Sequence, residues 1–199
     1  MKTVILATGN AGKLAEMRAI LAPLNLLVQS QAEYFSDEAV EDGLSFIENA
    51  ILKARFASAK TGLPAIADDS GLEVDFLQGR PGIYSARYSE GYQGQAASDA
   101  LNNQKLLDEL DGVSAENRQA CYYCAMAYVR HKDDPTPLIG LGQWCGTVLD
   151  APIGSGGFGY DPLIWMEEEG CSVAELSKAV KNKISHRAKA LQALVAQLK

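Results

Sequence analysis

The chain has 199 residues, of which 47% are hydrophobic and 22% charged, with a formal net charge of −7. That length suits one domain with a sizeable core. The acidic balance argues against a protein that grips nucleic-acid polymers, which shows a basic face, and leaves room for a small phosphorylated ligand.

No apolar run approaches the ~20 residues of a membrane helix. Met1 to Ala7 carries one charge and too short an apolar run for a signal peptide. The cytoplasm is therefore the expected compartment. Four cysteines, Cys121, Cys124, Cys145 and Cys171, are present. Cys121 and Cys124 have zinc-like spacing, but no second pair does, and alternation along a strand sends their thiols to opposite faces. Free, buried thiols in a reducing compartment are the expectation.

Thr3 to Ala7 reads as the first strand. Thr8, Gly9, Asn10, Ala11, Gly12 and Lys13 form a turn into a helix, with Leu14, Met17, Ile20 and Leu21 on one face and Pro23 as its end. A strand, a glycine-rich turn and a helix start make a context in which backbone N–H groups hold a phosphate, with Lys13 reaching the anion. A plain connection is the alternative. The turn is not a P-loop, which needs Gly where Ala7 stands and Ser or Thr where Leu14 stands.

Leu26 to Val28 reads as a strand, followed by an acidic loop holding Asp37, Glu38, Glu41 and Asp42. Ser45 and Glu48 match a capping box. A helix to about Lys60 follows, with Phe46, Ile47, Ala50, Ile51 and Ala54 inward and Gly62 as its stop. It leads into Ala65-Ile66-Ala67-Asp68-Asp69-Ser70-Gly71, a short buried strand whose two acids reach a tight Ser-Gly turn. Carboxylates there need a positive partner. A divalent metal held by Asp68 and Asp69, with Glu41 as a carboxylate from a second segment, is one reading, and an acidic hairpin turn is the other.

Leu72, Val74 and Phe76 alternate as a strand, and a helix spans about Ala97 to Leu110. Arg118 to Arg130 and Leu138 to Val148 form a hairpin, with His131 solvated in its turn. Four glycines stand between Gly154 and Gly159 beside Phe158, Tyr160 and Pro162. Glycine loses most entropy on ordering, so an ordered loop here points to amides presented to a base or phosphate, against a glycine-rich hairpin connection. Ser172 and Glu175 form a second capping box, with Lys178, Lys181 and Lys183 beyond. Ser185 caps the last helix. That puts His186 and Arg187 in a first turn, where the dipole disfavours cations. A bound anion accounts for them better than solvent exposure does.

Together these segments resemble the inosine triphosphate pyrophosphatase family, the dITP/XTP pyrophosphatases. The resemblance runs nearly end to end. Its carriers are Thr8-Gly9-Asn10-x-x-Lys13, Phe46-Ile47-Glu48-Asn49-Ala50 with Lys53, Asp68-Asp69-Ser70-Gly71-Leu72, Pro81 to Tyr88, Gly156 to Pro162, and Ser185-His186-Arg187. It implies a single α/β domain over 1–199 with no linker, a long mixed β-sheet flanked by helices, and two lobes with the active-site cleft between them. It further implies a homodimer that uses Mg²⁺ to cleave deaminated purine triphosphates to monophosphate and pyrophosphate.

By the same resemblance Asp69 is the general base and a metal ligand, and Glu41 the second ligand. Thr8 to Lys13 cradle phosphates and Ser70 assists. Phe158, Gly159, Tyr160 and Asp161 form the base pocket, and Lys181, His186 and Arg187 complete the nucleotide contacts. Asp68 is a supporting acceptor. Trp144, Tyr122 and Tyr123 are candidates for the dimer contact.

Overall fold

The structure, a computed structural model, describes residues 2–8, 11–22 and 26–198. The strands are β1 (Lys2–Leu6), β2 (Leu26–Ser30), β3 (Ala65–Val74), β4 (Gln119–Val129), β5 (Leu138–Val148), β6 (Ile164–Met166) and β7 (Cys171–Ser172). The helices are α1 (Ala11–Leu21), α2 (Phe46–Thr61), α3 (Asp99–Glu109), α4 (Lys178–Ile184) and α5 (His186–Val195). The seven strands lie in one sheet in the order β2-β1-β3-β4-β5-β6-β7. β1 is parallel to β2 and β3, whereas β6 is antiparallel to β5 and β7. The sheet is mixed and flanked by helices, the α/β class that the sequence implied.

Two compact units divide the chain. The first comprises 1–70, 124–143 and 185–199, the second 71–123 and 144–184. In the first, β1 is apolar on both faces, as a central parallel strand must be. Val4 and Leu6 pack with Met17, Leu21, Leu191 and Leu194, while Ile5 packs with Ala50, Ala54 and Ala57 of α2. The small alanine face of α2 lets that helix lie close to the sheet. Its start keeps the expected Ser45 cap, with Ser45 Oγ accepting the Glu48 N–H at 3.2 Å, but departs from the reciprocal box: the Glu48 carboxylate takes the Leu44 N–H at 2.9 Å, one residue before the cap, and the Ser45 hydroxyl at 2.8 Å. Ile47, expected to face inward, is instead exposed, because Ala50, Ala54 and Ala57 define the buried stripe one side over.

In the second unit Leu72, Val74, Leu106, Leu110, Tyr160, Leu163 and Ile164 form the core. Tyr122 and Trp144 belong to it and are only 7% and 6% exposed. They are filled positions of this chain's own interior, so neither presents a contact surface.

Two expectations are corrected. There is no turn at Ser70-Gly71: β3 runs unbroken through both residues. Beyond the end of β1 the strand still has β4 beside it, and a Ser-Gly pair turns only where no neighbour claims its backbone groups. The cysteines are also not all reduced. Cys121 and Cys145 form a disulfide, Cα atoms 4.0 Å apart, while Cys124 is buried and Cys171 half-buried. The pairing is between two strands and was invisible to spacing along one of them. The support that reduced thiols lent to a reducing compartment is withdrawn. No helix of the described residues is long and apolar enough to cross a membrane.

Candidate functional site

The ladder from β1 to β3 ends at the Leu6–Ile66 pair. Asp68 and Asp69 therefore lie just past the carboxyl end of β1, where ligands bind in open α/β sheets, although they sit inside β3. Thr8 follows β1 at the same end. Its carbonyl accepts the Ser30 hydroxyl at 3.4 Å, and α1 begins three residues later. Gly9 and Asn10 lie outside the described residues, as do the side chains of Ala11, Gly12 and Lys13 at the head of α1.

Asp69 is 8% exposed. Lys53 Nζ stands 2.9 Å from its Oδ1, and Asn49 Nδ2 donates to its Oδ2 at 3.3 Å. Asn49 and Lys53 are one turn apart on α2, so both reach the same strand. Lys53 also pairs with Glu41 at 3.3 Å, and Asn49 Oδ1 accepts the Gly43 N–H at 2.9 Å, tying down the loop that carries Glu41. Burial pushes the Asp69 carboxyl above its ordinary value, against the opposing pull of Lys53. Burial by itself would lower the Lys53 ammonium, but attraction to Asp69, then to Asp68 and Glu41, raises it overall. An ion pair normally lowers the acid, so the two directions conflict at first sight. They are reconciled by desolvation: Lys53 stays protonated, and Asp69 gives up its proton less readily than a solvated carboxyl.

Among the described residues no three metal-ligating side chains cluster. Two carboxylates, Glu41 and Asp69, do converge on one cationic group. Oxygen donors in that number fit Mg²⁺, which is usually held by one or two carboxylates, with waters and substrate phosphates completing the shell.

Ser185 caps α5 by accepting the Ala188 N–H at 3.3 Å. His186 and Arg187 are 6% and 4% exposed, which rules out the solvent-exposed reading of these cations. Arg187 Nε lies 3.4 Å from Asp68 Oδ2, and its Nη2 is 3.3 Å from Ser70 Oγ. The anion facing this helix start is thus a carboxylate of the chain itself, and Asp68 orients a neighbour.

The second unit gathers another set. Asp161 is 3% exposed and accepts the Phe158 N–H at 2.9 Å, the Tyr122 hydroxyl at 3.2 Å and the Lys181 ammonium. Lys181 also lies 4.8 Å from the Phe158 ring centroid, and that ring is 54% exposed. Tyr160 is buried and donates to the Ser85 carbonyl at 2.8 Å. Gly157 has φ +75°, and a Cβ there would meet Asp161 Oδ2 at 1.9 Å. The glycine-rich loop is ordered around Asp161, as its aromatics implied. One expectation changes: the N–H groups of Phe158 and Gly159 are already taken, by Asp161 and Asp99, so they are not open to a base.

The predicted residues thus fall into two clusters, one per unit. Glu41, Asp69, Ser70 and Arg187 stand in the first, with Thr8 and His186 in the same unit. Phe158, Gly159, Tyr160, Asp161 and Lys181 stand in the second. Asn49 and Lys53 carried the family resemblance but were given no site role. Their spacing of four on a helix leading to Asp69 was the available signal. Asp99, Asn103 and Tyr122 had none, since their partners are far away in sequence.

The model of the Ham1 family matches residues 4–197. A dITP/XTP pyrophosphatase of Escherichia coli O157:H7 is 52% identical over 199 residues, covering 100% of this chain and 99% of the relative. One of Vibrio cholerae is 53% identical over 194 residues, covering 98% and 95%. Among solved structures, a HAM1 protein from Coxiella burnetii superimposes with a TM-score of 0.92 at 41% identity, covering 100% of this chain and 98% of that one. A nucleoside-triphosphatase / dITP/XTP pyrophosphatase from Mycobacterium abscessus gives a TM-score of 0.78 at 37% identity, covering 97% and 98%. The chain belongs to the Ham1 family.

Proposed function

We propose that the protein hydrolyses deaminated purine nucleoside triphosphates (ITP, dITP and XTP) at the bond between the α and β phosphates. The products are the monophosphate and pyrophosphate. The observation that carries this reading is the buried Asp69 carboxylate, held by Lys53 and Asn49 with Glu41 alongside, just past the end of β1. Full-length relatives named dITP/XTP pyrophosphatase support the same substrate class.

Asp69 is assigned to accept the proton of the attacking water. Lys53 and Asn49 fix its two oxygens, and burial keeps its basicity above that of a solvated carboxylate, which suits a general base. As water adds, its proton passes to Asp69 and the bridging P–O bond breaks, releasing pyrophosphate. Thr8 to Lys13 take phosphate oxygens through backbone N–H groups at the head of α1, Lys53 neutralises charge beside the reaction, and Ser70 and Arg187 add donors. Glu41 and Asp69 would hold Mg²⁺, which offsets charge on the triphosphate and makes water more acidic.

The second unit is assigned the base. Phe158 offers an exposed ring for stacking, and Lys181 a donor. A 6-oxo purine presents an acceptor where adenine presents an amino donor, so a side-chain donor from Lys181 rejects adenine by being left unpaired. The family resemblance supports a homodimer, and the net charge of −7 supports action on free nucleotides rather than on a nucleic-acid polymer; the cytoplasm is the compartment proposed.

Incubation with dITP and Mg²⁺ should release pyrophosphate, and Asp69→Asn should lower kcat by about 10²–10⁴-fold while keeping the wild-type circular-dichroism spectrum. A loss below about tenfold removes Asp69 from the base role. Stable binding of dITP by the wild type without pyrophosphate would indicate a nucleotide sensor instead.

A further inference from the structure

We infer that Asp99 and Asn103 are positioning residues for base recognition: they hold Gly159 so that the Phe158 ring and the Asp161–Lys181 pair meet the purine. The inference rests on the substrate class proposed above.

Asp99 and Asn103 are one turn apart at the start of α3 and share a face. Asp99 Oδ2 accepts the Gly159 N–H at 2.7 Å, and Asn103 Nδ2 donates to the Gly159 carbonyl at 3.0 Å. Both polar groups of a single loop residue are therefore gripped by one helix. Packing does not hold that point of the loop, because a Cβ built on Gly159 has nothing within 4 Å. On either side the chain is anchored, by Phe158 N–H on Asp161 and by the Tyr160 hydroxyl on the Ser85 carbonyl. The α3 clamp closes the gap between these anchors.

Asn103 carries a further mark. Its Oδ1 is buried with no hydrogen-bond partner among the described residues. An unmatched buried acceptor carries a desolvation cost. A side chain kept for stability alone would not carry that cost, so the bond made by its other end, to Gly159, is what the residue supplies. A glycine-rich loop left free would sample many conformations and lose that freedom on each binding event. Fixing it beforehand shows up as affinity rather than as chemical rate.

The test uses full-length Asn103→Ala, Asn103→Asp and Asp99→Ala. Asn103→Asp keeps the size and removes the donor. Each variant should raise KM for dITP about fivefold to tenfold, the equivalent of one hydrogen bond, with kcat within about twofold and with the dITP-over-dGTP ratio in kcat/KM narrowed. An unchanged KM would overturn the inference. So would equal losses on dITP and dGTP that track a fall in Tm, the signature of a structural role. Calorimetric binding of dITP separates this inference from the hydrolytic reading. Weakened binding by variants of a protein that releases no pyrophosphate overturns hydrolysis alone, while unchanged binding overturns the clamp.

Discussion

At the residue scale, Asp68 and Asp69 are neighbours in one strand with different work. Alternation sends them to opposite faces of β3, Asp69 toward Lys53 and Asn49 on α2, Asp68 toward Arg187 on α5. The Asp68 and Arg187 side chains are 2% and 5% exposed. Asp68→Asn takes away the carboxylate facing a buried guanidinium, which should cost about 3 kcal/mol and be visible as a fall in Tm by calorimetry. Its activity should fall as well, through misplacement of Arg187. A Tm equal to that of the wild type would show that the pair is not a structural one. Adjacent acids were plain in the sequence. Their division of labour was not, because it depends on which helix covers each face of the sheet.

At the element scale, two short segments set geometry that longer ones use. Gly142 in β5 lets α5 begin close against the sheet: a Cβ there would stand 2.0 Å from the His186 carbonyl oxygen. Gly142→Ala must push back the start of α5, carrying His186 and Arg187 with it. We expect kcat/KM for dITP to fall by more than tenfold, on the order of the effect of a 1 Å misplacement. Unchanged kinetics would mean that these residues tolerate displacement. The turn after β4 depends on Asp134, which is 1% exposed. It accepts the Arg130 N–H and guanidinium and the Thr136 N–H. The Arg130 hydrogen bond, with the backbone N–H groups, holds its carboxyl well below the usual carboxylate range despite burial. A folded-state value below the unfolded one of ~3.9 adds stability that is complete above that pH and fades below it. Wild type should therefore be more stable than Asp134→Asn in urea melts near neutral pH, with the gap closing as pH falls below about 4. A gap that stays constant down to pH ~2 would show that the carboxylate's charge is not what matters.

At the scale of the whole molecule, the chain passes between its two units four times, at 70/71, 123/124, 143/144 and 184/185. Three of these passages fall inside strands, so neither unit is a continuous piece of sequence. This bears on how much the sequence could reveal. Elements with local signals were legible: β1 from its apolar run, α2 from Ser45 and Gly62, α5 from Ser185. The short strands β6 and β7 were not, because three and two residues carry no period. The Ser70-Gly71 turn was misread because a local turn signal yields to neighbours in the sheet, and the Cys121–Cys145 pairing was missed because it joins different strands. For the site, the motif residues were all named, Asn49 and Lys53 among them without a role, but Asp99, Asn103 and Tyr122, which hold others in place, required the fold.

The function assigned to this chain is the destruction of deaminated purine triphosphates. Its most direct test is kcat/KM with pyrophosphate detection across dITP, XTP, dGTP, dATP and a methylated pyrimidine triphosphate, with Mg²⁺ present. We expect dITP and XTP well above the rest, by about tenfold or more, since a site built for one hydrogen-bond pattern leaves buried groups unpaired with another. Equal rates on dGTP and dITP, or a preference for the methylated pyrimidine, would contradict it.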